Sequence, residues 1–178
     1  MSTKIIIISN SEIDTMPLAK MLVEKNDDFS IASTFTTDTD LEGEITDDYQ
    51  YYMSVTDLNL ACKNNAILFV ETKNFVSKGM TIDEMYNNNI FCMKFNNFND
   101  ITDHVLLNQD IIVIWVDSSK HMENYQNDLR EIPYIEDRLE YIPYIYFLDE
   151  TLDTMSDVII KYVNASETKR RAIIEENK

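Results

Sequence analysis

Ile5-Ile6-Ile7-Ile8-Ser9 puts a β-branched apolar side chain at four successive positions. Side chains alternate between the two faces of a strand, so a run that is apolar throughout needs cover on both faces. This excludes a half-solvated antiparallel strand and predicts the central strand of a parallel sheet. The stretch Met16-Pro17-Leu18-Ala19-Lys20-Met21-Leu22-Val23-Glu24 follows it. Leu18, Met21 and Leu22 fall at i, i+3 and i+4, and Pro17 suits a first turn, so a helix packs back on that strand. Strand, loop, helix is the opening of an α/β fold.

The same alternation continues along the chain. Residues 29–37, rich in Ser and Thr with Ile31 and Phe35, read as a second strand, and residues 51–55 as a third. Ser54 then caps a short helix containing Leu58, Leu60 and Ala61. Residues 66–71 form a strand, and Thr81–Met85 turns helical after Gly79. Residues 90–95 and 110–116 are two further apolar strands, and Asp117-Ser118-Ser119 caps a helix running to about Leu129. Residues 135–141 read as helix, 144–148 as strand and 151–163 as a closing amphipathic helix. The prediction is one three-layer α/β domain over residues 1–165, with a mainly parallel core sheet and a small inserted lobe over about 29–79. Residues 166–178 make a charged C-terminal tail.

Composition narrows the function classes. At 178 residues a single core suffices without disulfide or metal staples. The 32 acidic and 15 basic residues give a net charge of −17, which excludes a general nucleic-acid binder and fits a partner with a basic face or simply a very soluble protein. Cys62 and Cys92 lack CxxC spacing and read as buried free thiols in a reducing compartment. No apolar run approaches the ~18–20 residues of a membrane span, and no leader pattern is present, so the expected location is the cytoplasm. Abundant Ile, Asn, Asp and Tyr mark an AT-rich coding sequence of the viral, phage or low-GC bacterial kind. His104 and His121 have no metal-ligand spacing, Ser118 and Ser119 have no flanking glycine for a nucleophile elbow, and no cofactor or metal is expected. The basic cluster Lys169-Arg170-Arg171 suits pairing with the protein's own acidic surface.

Several strings, in their order and spacing, resemble guanylate kinase over almost the whole chain. One patch is Thr36-Thr37-Asp38-Thr39-Asp40-Leu41-Glu42-Gly43-Glu44 followed by Tyr51-Tyr52-Met53-Ser54. The family reads Thr-Thr-Arg-x-Pro-Arg-x-Gly-Glu there, then an aromatic-rich strand leading into a helix. Tyr144-Ile145-Tyr146-Phe147-Leu148-Asp149-Glu150-Thr151-Leu152 is similar to the family's last strand and the turn before its final helix, and Arg138-Leu139 to an Arg-Leu pair near its lid. The resemblance implies a P-loop-kinase-like, guanylate-kinase-like fold. It leaves Thr34, Glu44 and Arg138 as residual family-like positions, better explained as a strand threonine, a solvated glutamate and a surface arginine than as parts of a nucleotide site.

The departures bear on activity. Where the family has a glycine-rich loop and a lysine around the ATP phosphates, this chain has Ser9-Asn10-Ser11-Glu12-Ile13-Asp14-Thr15-Met16-Pro17. Without glycine, the backbone cannot readily take the conformations that turn several N–H groups onto one anion. Glu12 and Asp14 would repel the anion as well, by about 4 kcal/mol for like charges ~4 Å apart near a protein surface. The two family arginines that clamp the nucleotide monophosphate fall on Asp38 and Leu41, and the Tyr of a Tyr-Gly pair falls on Lys78 before Gly79. The expectation is a catalytically inactive relative without cofactor.

Two non-enzyme roles then compete with a third reading, a nucleotide-related enzyme using other residues. The first is a protein-interaction module, as the resemblance to guanylate-kinase-like scaffold domains implies, with Asp38 turning the cleft's preference toward basic peptides. The second is an acidic decoy that inhibits a nucleic-acid-binding protein, for which one acidic loop is short. The candidate partner surface is Asp38, Asp40, Glu42, Glu44, Asp47 and Asp48 with Tyr49, Tyr51 and Tyr52 beside them. Charge there would steer a basic protein and the aromatic rings would grip it. A solvated turn explains the same loop. Tyr144 and Tyr146, on one strand face, are the next candidates.

Overall fold

The computed structural model describes residues 3–9, 13–42, 45–46, 49–94, 97, 111–117, 144–146, 151–165, 169 and 172–173. β1 (Lys4–Ser9) leads to α1 (Met16–Lys25), and then the chain builds a second sheet. Its strands are β2 (Thr34–Thr36), β3 (Ile45–Thr46), β4 (Gln50–Tyr52), β5 (Ile67–Lys73) and β6 (Val76–Thr81), in the order β3-β4-β2-β6-β5. α2 (Val55–Lys63) connects β4 to β5, and α3 (Ile82–Asn87) follows β6. The chain returns to the first sheet with β7 (Ile90–Lys94), β8 (Ile111–Asp117) and β9 (Tyr144–Tyr146), and α4 (Leu152–Val163) follows. The first sheet is parallel throughout, in the order β7-β1-β8-β9.

The isoleucine run occupies the position its composition demands. β1 lies between β7 and β8, with Ile5 opposite Ile90 and Ile112, and Ile5 through Ile8 are fully buried. Ile5 and Ile7 face α1 and α4 and pack with Leu18, Leu22 and Ile159. Ile6 and Ile8 face the other way, with Phe69 and Met80 of the second sheet and Met85 of α3. β7 and β8 split identically, with Ile90, Ile112 and Ile114 on the helix side and Phe91, Val113 and Trp115 opposite. This is the expected three-layer α/β arrangement: helices, a four-stranded parallel sheet, and a third layer contributed by the five-stranded sheet. Each buried isoleucine contributes about 1.5–3 kcal/mol of hydrophobic stabilisation, so these layers carry the fold.

Several sequence expectations are corrected. Residues 29–37 do not form one strand: Ile31 bridges Ile90 of the first sheet, whereas Thr34 pairs with Gln50 of the second. The segment passes from one sheet to the other, held by the Asn89 side chain, whose Oδ1 accepts from the Ser30 amide at 2.6 Å. The strand expected over 51–55 ends at Tyr52, because Ser54 caps α2 by accepting from the Asp57 amide at 3.1 Å. Gly79 lies inside β6, a strand whose Val-Ser-Lys-Gly-Met-Thr sequence lacks clear alternation. Leu60 does not join the core; it is 57% exposed, and α2 buries Leu58 alone. Cys62 is exposed, not buried, since α2 turns that face to solvent. The helices expected over 117–129 and 135–141 lie outside the described residues, apart from Asp117, which ends β8. Most of the 166–178 tail does too.

Candidate functional site

The two sheets meet along a cleft of about 240 Å³ at the C-terminal end of β1 and β7. In parallel α/β sheets this is the end at which ligands bind. The first sheet contributes Cys92, Met93 and Lys94 from β7, and Asp14, Thr15 and Met16 from the approach to α1. The second contributes Thr34, Gln50, Phe69, Glu71, Lys78 and Gly79. Asn97, just beyond β7, closes the lining.

The approach to α1 has an unusual polarity. Ser9 Oγ donates to the Ile13 carbonyl at 3.1 Å, and the Lys94 ammonium donates to the same carbonyl. The Cys92 thiol donates to the Thr15 carbonyl at 3.8 Å. The segment thus presents acceptors to β7, whereas an anion cradle presents N–H groups. At the helix N-terminus itself, the Met16 amide is already taken by Asp14 Oδ1 at 3.0 Å, and Pro17, in the first turn, has no N–H. Burial pushes the Cys92 thiol up to about 11, with the Thr15 bond acting weakly the other way. It is a neutral, unreactive wall of the cleft at pH 7.

The sequence candidates fall in two places. Thr34 opens β2 and lines the cleft, its amide donating to the Tyr49 carbonyl at 2.8 Å. Asp38, Asp40 and Glu42 lie along a single 3-10 turn (Thr39–Leu41), where the Asp38 carboxylate accepts from the Asp40 amide at 3.2 Å. That turn adjoins β4, which carries Tyr51 and Tyr52, both half-buried. Tyr49 packs against the core on the helix side. Burial raises the Tyr51 phenol, a hydrogen bond with the Thr81 side chain opposes this, and Glu84 and Asp83 add to the rise. Glu44 and Arg138 are outside the described residues, as are the side chains of Asp47, Asp48, Tyr144 and Tyr146.

Sequence reasoning missed Glu71, Gln50 and Asn97 as cleft residues. Glu71 carried a faint signal, being the first charge after the apolar Ala66–Val70 stretch. Asn97 carried none, one asparagine among Asn96-Asn97-Phe98-Asn99. Among the described residues no group of three or more His, Cys, Asp or Glu is placed to hold a metal ion, and no helix is long and apolar enough to cross a membrane.

A parallel core sheet with a second sheet inserted after its first helix, and a cleft between them, defines a P-loop-kinase-like α/β fold. More narrowly the fold is guanylate-kinase-like: the guanylate kinase from Anaplasma phagocytophilum superposes with a TM-score of 0.53 at 13% identity, over 91% of this chain and 84% of that one. It is one of 64 matching chains among solved structures. No family model and no curated protein matches the chain. At that identity the likeness concerns the fold alone.

Proposed function

We propose that this chain is a protein-interaction module on a guanylate-kinase-like frame, without phosphoryl transfer, that engages a basic partner protein through the cleft and the adjoining acidic turn. The observation that carries this reading is the segment between β1 and α1. It has neither glycine nor lysine, it presents the Ile13 and Thr15 carbonyls to Lys94 and Cys92 of β7, and Asp14 occupies the first amide of the helix. Phosphoryl transfer depends almost wholly on positioned groups that neutralise phosphate charge, and this segment supplies the opposite sign. The cleft is also small, since sites for whole drug-sized ligands run to about 300–1,000 Å³. On the neighbouring turn, Asp38, Asp40 and Glu42 supply charge for steering a basic surface.

The decisive measurement is a coupled assay for GMP and dGMP phosphorylation, with calorimetry of ATP binding beside it. Phosphorylation above background, or micromolar ATP binding, would overturn the proposal. Affinity capture from the source cell, followed by mass spectrometry and salt titration, identifies the partner. A basic protein released by moderate salt supports the module. A nucleic-acid enzyme that DNA displaces would instead establish the acidic decoy.

A further inference from the structure

We infer that two copies of this chain pair antiparallel through the open edges of β5, joining their five-stranded sheets across a two-fold axis. This goes beyond the interaction-module reading and stands or falls separately from it. Four described strands end a sheet: β3, β5, β7 and β9. β5 is the longest of them at seven residues, and its Val70, Glu71, Thr72 and Lys73 are exposed in succession. Which of its backbone groups face outward follows from β6. The Ser77 amide donates to the Thr37 hydroxyl at 2.8 Å, and the Ser77 carbonyl accepts from the Thr37 amide at 2.9 Å. Ser77 therefore turns both main-chain groups away from β5, although Thr72 is its cross-strand partner. In an antiparallel ladder such a pair exchanges no hydrogen bonds, so the Thr72 N–H and C=O point to the open edge. Val70, two residues back in the same register, points the same way. Among the described residues no strand lies beyond these four groups, and a bare edge of this kind is a template for another strand.

Charge selects a second copy as that strand. The chain carries 32 acidic residues, yet residues 58–82 hold Glu71 alone against Lys63, Lys73 and Lys78. Two copies can meet on this stretch without bringing their acids together. An antiparallel pairing centred on Thr72 sets Glu71 of each copy directly opposite Lys73 of the other, twice by symmetry. Centring it on Glu71 would oppose like charges, so the register is fixed. In the Thr72 register the two Thr72 residues exchange both main-chain bonds. Glu71 and Lys73 then lie at non-hydrogen-bonded positions, where facing side chains approach most closely. At physiological salt the Debye length is about 8 Å, so these contacting pairs persist while remoter charge is screened. Lys73 guards the edge against unrelated strands, and only a strand with an acid in register answers it. Phe75, fully exposed at the hairpin tip, comes level with Phe69 and Val70 of the second copy, which offer it apolar neighbours.

The test is sedimentation velocity of the full chain at physiological salt over a wide concentration range. The mass should rise from 20.9 kDa toward twice that value as concentration increases. Glu71→Lys and Lys73→Glu each place like charges opposite one another twice, so each variant alone should dimerise roughly tenfold or more weakly. An equimolar mixture of the two should recover the parent's dimer, because one then presents two cations and the other two anions in register. Thr72→Pro removes an outward N–H that serves no bond within the chain, and it should abolish pairing. Circular dichroism checks the fold of every variant, and the charge exchange stands independently of Thr72→Pro. A mass fixed at 20.9 kDa at every concentration would overturn the inference. So would dimers undiminished in both charge variants, or a mixture that stays monomeric. The parent's oligomeric state leaves the interaction-module reading to its own assays.

Discussion

Gly79 shows how closely the second sheet is packed. A Cβ added there would lie 2.2 Å from the Phe69 carbonyl oxygen and 2.7 Å from Cζ of Phe35, a fully buried ring. Neither neighbour is the free end of a flexible chain, so Gly79→Ala should cost about 3 kcal/mol or more, as overpacking does. A shift of the urea midpoint to lower concentration checks it. Cys92 makes a different residue-scale prediction. Its folded thiol titrates near 11, above its ordinary value of 9.0, because burial disfavours the thiolate. A raised folded value contributes stability that is complete below pH 9 and is lost as pH rises through 11, on the order of 2 kcal/mol. Cys92→Ala should therefore flatten the alkaline limb of the stability–pH curve relative to the parent. Iodoacetamide at pH 8 should label the exposed Cys62 and spare Cys92, as peptide mass mapping would show.

Among the elements, the β5–β6 hairpin combines a favourable register with an unfavourable turn. Lys73 pairs with Val76, leaving Asn74 and Phe75 as a two-residue loop with φ of 52° and 68°. Both residues are left-handed, as tight hairpins require, and the second position ordinarily takes glycine. Phe75 is fully exposed, so no packing offsets the roughly 1–2 kcal/mol that an L-residue spends there. Glycine loses more freedom on folding, by about 0.5–1 kcal/mol. Phe75→Gly should thus stabilise the protein by about 0.5–1 kcal/mol, measurable as a higher denaturation midpoint. The helices are better served locally. Ser54 and Thr151 both cap by accepting the amide three residues on, and α4 is tied to α1 where Asp153 and Asp157 hold the Lys25 ammonium at 2.8 and 2.6 Å.

For the whole molecule, electrostatic self-repulsion is the main adverse term set by composition. A charge of −17 on one domain destabilises the compact state, and salt screens it as the Debye length falls from ~10 Å at 0.1 M to ~3 Å at 1 M. The melting temperature should rise with sodium chloride over that range, and no rise would mean that the acids are already offset within the fold. Asp38→Asn, Asp40→Asn and Glu42→Gln together should slow association with the captured partner and flatten its salt dependence. Stability should change by no more than ~1 kcal/mol, since asparagine retains the cap at 38 and exposed charges contribute little. An unchanged on-rate would move the partner surface away from this turn.

Local pattern determined the centre of the architecture. Four isoleucines in succession require two covered faces, the spacing of Leu18, Met21 and Leu22 requires a helix, and Ser54 announces the start of α2. These depend on neighbours within a few residues, so they survive translation from sequence to structure. The acidic run was equally visible, although its Asp38 proved to be a turn cap as well as a charge. Only the tertiary structure could decide that β6 is a strand, because its pairing with β5 and β2 owes nothing to its own weak alternation. The same holds for the cleft. Whether a polar side chain is satisfied depends on what distant segments place opposite it, and Glu71 and Asn97 share a cavity because β5 and the end of β7, remote in sequence, converge there. Asn97 Oδ1 is likewise buried without a hydrogen-bond partner, a state that its own sequence neighbours do not dictate.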